Sequence, residues 1–251
     1  MSSLRFMHIF PADPRQPKPD WPSLRADLIR RGFMLEPRGN AIPFHTVWSL
    51  WYRIAQDRHL PDFPYPDKAK DLVGVVRTLQ VAGVIDSNVR FELDQMSMPD
   101  FIAALRDRGF VSPEFTFDHP EEFKPGPLYD ALSEEPSEFL QRTISYSDHG
   151  EKIMVFCGEN TPRSPRIPGT DRVFEDWIPF VDRWTANPNE KWIDPETGRG
   201  YGLLDFDWGD TLGAGRCDLS IKHPGDLDPR KTAQLVSDVT GQPFRFSYCH
   251  L

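Results

Sequence analysis

Cysteine is scarce in this chain, with Cys157, Cys217 and Cys249 the only three in 251 residues. Their odd number and the lack of any C-x-x-C pair exclude a disulfide framework and a thiolate zinc ribbon, so reduced thiols are expected. Long apolar runs are also missing: no segment reaches the roughly 18 apolar residues of a membrane span. The first ten residues carry one arginine but neither a long apolar run nor a small-residue cleavage site, and the expected location is cytoplasmic. Positive charge is in deficit, since 29 Lys and Arg face 38 Asp and Glu for a net charge of −9. Such a field repels nucleic-acid phosphates and anionic lipid and favours a basic partner, so neither nucleic acid nor membrane is expected as a ligand.

What is abundant is proline and aromatic residues. The 25 prolines are about twice the ordinary frequency of ~5 %. They cluster at positions 11–22, 61–66, 113–127 and 162–168. Eighteen Phe and seven Trp argue against disorder, so the prolines mark stiff loops of a folded chain. A chain of this length can bury a core as one large domain or two ordinary ones without metal or disulfide staples.

A pattern recurs three times: an alternating strand, a proline-opened amphipathic helix closed by glycine, then an aromatic-led strand. It lies around Pro22 and Gly32, Pro99 and Gly109, and more loosely Pro229 and Gly241. In the first two copies Leu24 matches Phe101, Leu28 matches Leu105, and Arg31-Gly32-Phe33 matches Arg108-Gly109-Phe110. Asp20 and Ser97 are placed to cap the first-turn amides, where proline has no N–H to lose, and the glycines supply a left-handed stop. A duplication over residues 4–36 and 88–118, with a divergent copy at 215–248, is the expectation.

Between the first two copies, Phe44, Val47, Trp48, Trp51 and Ala55 fall at helical spacing, as do Leu72, Val75, Val76 and Leu79. They predict an inserted helical hairpin over about 44–82, broken by Pro61, Pro64 and Pro66. Later, Ser133 is expected to cap a short helix through Gln141, and Ile153–Cys157 to form a buried strand. Phe174, Trp177, Ile178 and Val181 mark a helix that Pro179 should kink or shorten. Asp194-Pro195-Glu196-Thr197-Gly198 is a turn joining strands near Trp192 and Tyr201.

Period-two alternation marks the strands. Leu4–Phe10 is one. Val89, Phe91 and Leu93 oppose Arg90, Glu92 and Asp94; Phe115 and Phe117 oppose their neighbours; Leu204, Phe206 and Trp208 oppose Asp205 and Asp207. Cys217, Leu219 and Ile221 oppose Arg216, Asp218, Ser220 and Lys222, and Phe244, Phe246 and Tyr248 close the series. Alternation of this kind predicts an α+β fold: antiparallel sheet from repeated strand-helix-strand units, one face apolar and one polar, with helices on one face. The expected division is 1–125, carrying the helical insertion, and 126–251, as one composite domain or two.

Candidate chemistry is sparse. Asp205 and Asp207 superficially resemble the DxD of haloacid-dehalogenase-type phosphatases or metal-dependent glycosyltransferases, but Gly209 stands where that phosphatase pattern has Thr or Val, and only about forty residues follow. Oxygen ligation of a hard cation by Asp205, Asp207 and Asp210 or Asp218 is the alternative function, a divalent-metal-dependent hydrolase, set against their being the solvated side of a strand. Gly209, Gly213 and Gly215 lead into a strand, whereas a phosphate loop needs a following helix N-terminus. His45 and His59, on one predicted helix, would stand about 21 Å apart. The other histidines, among them His8 and His149, show no ligand spacing and read as satisfied residues. Cys157 with His149 and Asp148 is a conceivable nucleophile set, but a buried thiol is the simpler reading. Arg163, Arg166 and Arg172 make a basic loop suited to an anion or a solvated surface. Trp48, Trp51 and Tyr52 form an aromatic stripe too wide for one buried face, which suits core packing, a ligand pocket or a partner surface.

With no coherent catalytic motif and no cofactor signature, the expected function is a non-catalytic acidic interaction protein of inhibitor or immunity-protein type. Its partner-binding residues are expected to be Arg90, Glu92, Asp205, Asp207, Arg216, Asp218 and Arg245, with Trp48 and Trp51.

Overall fold

In a computed structural model the described residues are 5–60, 70–134, 142–157 and 164–250. Among them the chain forms an α+β protein of seven α-helices and nine strands, with antiparallel pairing in its ladders. It divides into two units, the first built from Met1–Leu28, Ala131–Pro136 and Tyr146–Leu251, the second from Ile29–Asp130 and Ser137–Ser145.

The first unit centres on β1 (Arg5–Pro11), flanked by β8 (Cys217–Lys222) and β9 (Phe244–His250). β1 and β8 run antiparallel with Met7 opposite Ile221 and Ile9 opposite Leu219, while β1 and β9 set His8 opposite Ser247 and Phe10 opposite Arg245. Beyond β8 lies β3 (Thr143–Asp148), so the order β3-β8-β1-β9 is that of a split β-α-β arrangement. Met7, Ile9, Leu219 and Ile221 are almost wholly buried on one face. Helix α7 (Pro229–Thr240) packs against β1 and β9 and buries Ala233 and Val236. Gly241 closes it at φ 68°, where the sequence pattern puts the stop, and its start is capped by Asp228, which accepts the Arg230 and Lys231 amides. Helix α1 (Trp21–Arg30) starts from Asp20, whose carboxylate accepts the Ser23 amide.

The polar side of that sheet is not left to solvent. Strands β4 (Met154–Cys157) and β7 (Leu212–Gly215) pair with each other and pack against β9, and Phe156 closes over the His8 ring. A Cβ on Gly213 would fall inside the Phe10 ring, which is why glycine stands there. A second apolar cluster gathers α6 (Trp177–Ala186), Phe174, Tyr201, Leu203, Phe206 and Trp208. Pro179 sits within the first turn of α6, where its missing N–H costs nothing, so the predicted kink is a helix start. β5 (Trp192–Ile193) and β6 (Gly200–Tyr201) pair across the predicted Asp194–Gly198 turn.

The second unit is mainly helical. Helices α2 (Phe44–Asp57), α3 (Leu72–Val81) and α4 (Met98–Asp107) share a core of Val47, Leu50, Trp51, Ile54, Val75, Leu79, Phe101 and Leu105. Asp71 caps α3 through the Gly74 amide, and Ser97 with Asp100 forms a capping box on α4. β2 (Glu122–Phe123) pairs with the start of β3, and α5 (Pro127–Ala131) follows.

Three predicted alternating strands are absent, and the aromatic-led strand predicted after Gly32 is reduced to a single bridge from Met34 to Pro125. Val89–Leu93 and Phe115–Phe117 have no ladder: their apolar side chains turn onto the helical core as extended loop. Side chains take the carbonyls that a partner strand would use, Gln80 bonding those of Asp86, Ser87 and Val89, and Arg108 that of Arg90. Leu203–Asp205 is a 3-10 turn, with Phe206 and Trp208 buried and Leu204 exposed. The strand-helix-strand recurrence is therefore seen around α4 only in its helix. Ser133 makes a bridge to Leu227, and the helix predicted after it, like Pro61, Pro64 and Pro66, falls outside the described residues.

Candidate functional site

The sequence-predicted residues do not converge. Arg90 and Glu92 line an exposed cleft of about 580 Å³ in the second unit, with Val73, Arg77 and Gln80. The others, Trp48 and Trp51 excepted, belong to the first unit. Asp205, Asp207 and Asp210 are exposed. Asp205 accepts the Gly202 amide at 2.8 Å and Asp207 the Gly209 amide at 3.0 Å, so each carboxylate closes its own turn. Among the described residues no three His, Cys, Asp or Glu side chains are placed to hold a metal ion. Arg172 serves structure, gripping the buried Asp194 through both Nη atoms at 3.1 and 2.6 Å, while Arg166 meets Asp171 at the surface. Arg163 and the Cys157 side chain lie outside the described residues. His59 lies past the end of α2 with φ 50°, so it does not share that helix with His45.

Asp218 is the exception to this dispersal. It is 3 % exposed, and its two oxygens are each met by an imidazole: His8 Nδ1 at 2.8 Å and His149 Nε2 at 3.0 Å. Strand geometry produces the cluster. His8 alternates with Met7 and Ile9 and so shares a sheet face with Asp218 and Ser220, the latter directly across from it. His149 follows β3, and its amide bonds the Arg216 carbonyl at 2.8 Å, which sets its ring beside Asp218. Phe156 stacks on His8 at 4.9 Å and tilts against His149 at 5.8 Å. Burial pushes the Asp218 carboxyl up, but the hydrogen bonds from His149 and His8 outweigh it, and the net position is below the usual carboxylate range. Ser247, directly opposite His8 on β9, is wholly buried with an unpartnered hydroxyl.

The cluster is flanked by polar and aromatic groups. Arg216 donates to the carbonyls of Arg15 and Gln16 and to Glu151. Lys18 reaches Asp148 at 2.7 Å. Trp21 stacks on Tyr146 at 4.4 Å with ring planes 4° apart. Burial raises the Tyr146 phenol, reinforced by Cys217, whose own thiol burial also raises. The sequence picks out Asp218 and Arg216, but it presents His8 and His149 as satisfied residues and sets His149 beside Cys157 instead of Asp218. Histidines 141 residues apart show no local spacing: the β1–β8 register brings His8 to Asp218, and the bond from the His149 amide to the Arg216 carbonyl brings His149 there.

On the second unit the aromatic stripe of α2 divides as its width implied. Trp51 is 1 % exposed in the helical core and is thereby removed from any partner surface, whereas Trp48 and Tyr52 are 40 % and 43 % exposed. Their rings stack at 6.2 Å and border a groove of about 240 Å³ lined also by Phe117, Asp118 and His119. Phe117 and His119 stack in turn at 5.5 Å. Comparisons with protein-family models, curated proteins and solved structures find no match to this chain.

Proposed function

We propose that the protein works as an acidic interaction protein of inhibitor or immunity type, binding a basic macromolecular partner through a non-catalytic surface on α2. The observation that carries this reading is the exposed Trp48–Tyr52 stack on α2, a helix that buries Val47, Leu50, Trp51 and Ile54 on its other side. Large aromatic rings held at a surface cost solvation and supply binding anchors of low conformational entropy, which is why Trp and Tyr dominate interface hot spots. The groove beside them offers ring faces and the Asp118 carboxylate, a combination suited to a cationic side chain. Net charge of −9 steers a basic partner toward the molecule and makes the encounter salt-sensitive.

The test is a paired retention experiment from native lysate with wild type and the Trp48→Ala/Tyr52→Ala variant at low and high salt. A basic protein retained by wild type, displaced by salt and weakened by about 30-fold or more in the variant supports the reading, that factor corresponding to about 2 kcal/mol for a hot-spot ring. Equal retention of the same protein by both forms overturns the assignment to α2. Absence of any salt-sensitive basic partner overturns the function.

A further inference from the structure

We propose that His8, His149 and Asp218 form a proton-transfer site that hydrolyses a small phosphate diester, a second activity independent of the aromatic surface on α2. One buried carboxylate accepts from two imidazoles, His8 through Nδ1 and His149 through Nε2. Each ring is thereby fixed in tautomer, with its other nitrogen, Nε2 of His8 and Nδ1 of His149, left to carry a lone pair or a proton. The reaction requires the form in which one ring is protonated and the other neutral, an acid and a base together, and both rings keep some exposure, 15 % for His8 and 23 % for His149.

Hydrolysis uses that pair directly. The neutral ring takes a proton from water as the water oxygen bonds to phosphorus. The bond from phosphorus to the ester oxygen breaks, and the imidazolium gives its proton to the departing alkoxide. Products are a phosphate monoester and an alcohol, and the proton count of the site is unchanged, one proton having moved from ring to ring.

A phosphoryl group suits the surroundings. The β1–β8 register sets Ser220 opposite His8 and Lys222 opposite Phe6, so a hydroxyl and an ammonium share the face that bears both groups. The rings of Phe6 and Phe156 stack against His8 at 6.0 and 4.9 Å and give the site an apolar flank for an organic ester group. The net charge of −9 disfavours a polyanion, which restricts the substrate to a small diester.

The experiment incubates the full chain with bis(p-nitrophenyl) phosphate in excess chelator. Release of p-nitrophenolate above the buffer rate is expected, falling about 100-fold or more in His8→Gln and in His149→Gln and unchanged in the surface variant Val81→Ser. No release from folded wild type, or an undiminished rate in folded His149→Gln, overturns the proposal. Should both histidine variants fail to fold, the wild-type imidazole proton signals decide it: shifts of both on adding inorganic phosphate support the site, and unmoved signals refute it. Loss of hydrolysis in folded His149→Gln with partner binding intact separates this activity from the α2 interface.

Discussion

Asp194 has no exposed surface, yet it directly follows a two-residue strand and opens a turn rather than sitting in an apolar core. It accepts from Arg172, from the Thr197 hydroxyl at 2.7 Å and from the Glu196 amide at 3.1 Å. The Arg172 guanidinium holds this carboxyl well below the usual range; burial pushes the other way, and the Thr197 and Glu196 hydrogen bonds reinforce the arginine. A depressed folded pKa contributes stability that is fully present above the unfolded value of about 4 and is lost as pH falls through the folded one. The urea midpoint of wild type should therefore fall steadily below about pH 4. Asp194→Asn should start lower at neutral pH and show a flatter decline, and parallel curves for the two proteins would refute the role given to Asp194. The sequence marks Asp194 as the first residue of a turn, which it is, but its partner lies 22 residues away in a basic loop that suited either an anion or a solvated surface.

At the scale of elements, helices were the legible part. Caps and stops act within a few residues, so Asp20, Ser97, Gly32, Gly109 and Gly241 reported the ends of α1, α4 and α7 directly. Gly241 illustrates the physics: a Cβ there meets nothing within 4 Å, so any penalty for Gly241→Ala is that of the left-handed backbone. Gly241→Ala should cost about 1 kcal/mol in urea unfolding, and Gly241→Asn distinctly less. A neutral alanine variant would show that α7 ends by some other means. Strands were legible only where a partner existed. The alternation at Val89–Leu93 has the same period as that at Cys217–Ile221, but the first packs on helices as loop and the second lies between β1 and β3. Period two records which side chains are buried, and hydrogen-bonded pairing is a separate, non-local fact.

At the scale of the whole molecule, the buried clusters among the described residues include one around Phe101 in the second unit and one around Phe180 in the first. Both rings have no exposed surface. Phe101→Ala and Phe180→Ala should each cost about 3–5 kcal/mol, since the lost burial is joined by the cavity left behind. Amide exchange should accelerate most in α2 and α4 for the first variant and in α6 for the second; a change below 1 kcal/mol in either would mean that the site collapses around the missing ring. Composition and local pattern by themselves determined the α+β class, the amphipathic helices and their boundaries, the excess of negative charge and the surplus aromatic width of α2, because each depends on neighbours within a turn or two. Tertiary structure alone decided which alternating segments became strands, that Trp51 would be core and Trp48 surface, and that His8 and His149 would meet on Asp218. Those outcomes depend on register between segments as much as 210 residues apart, and no local spacing encodes it.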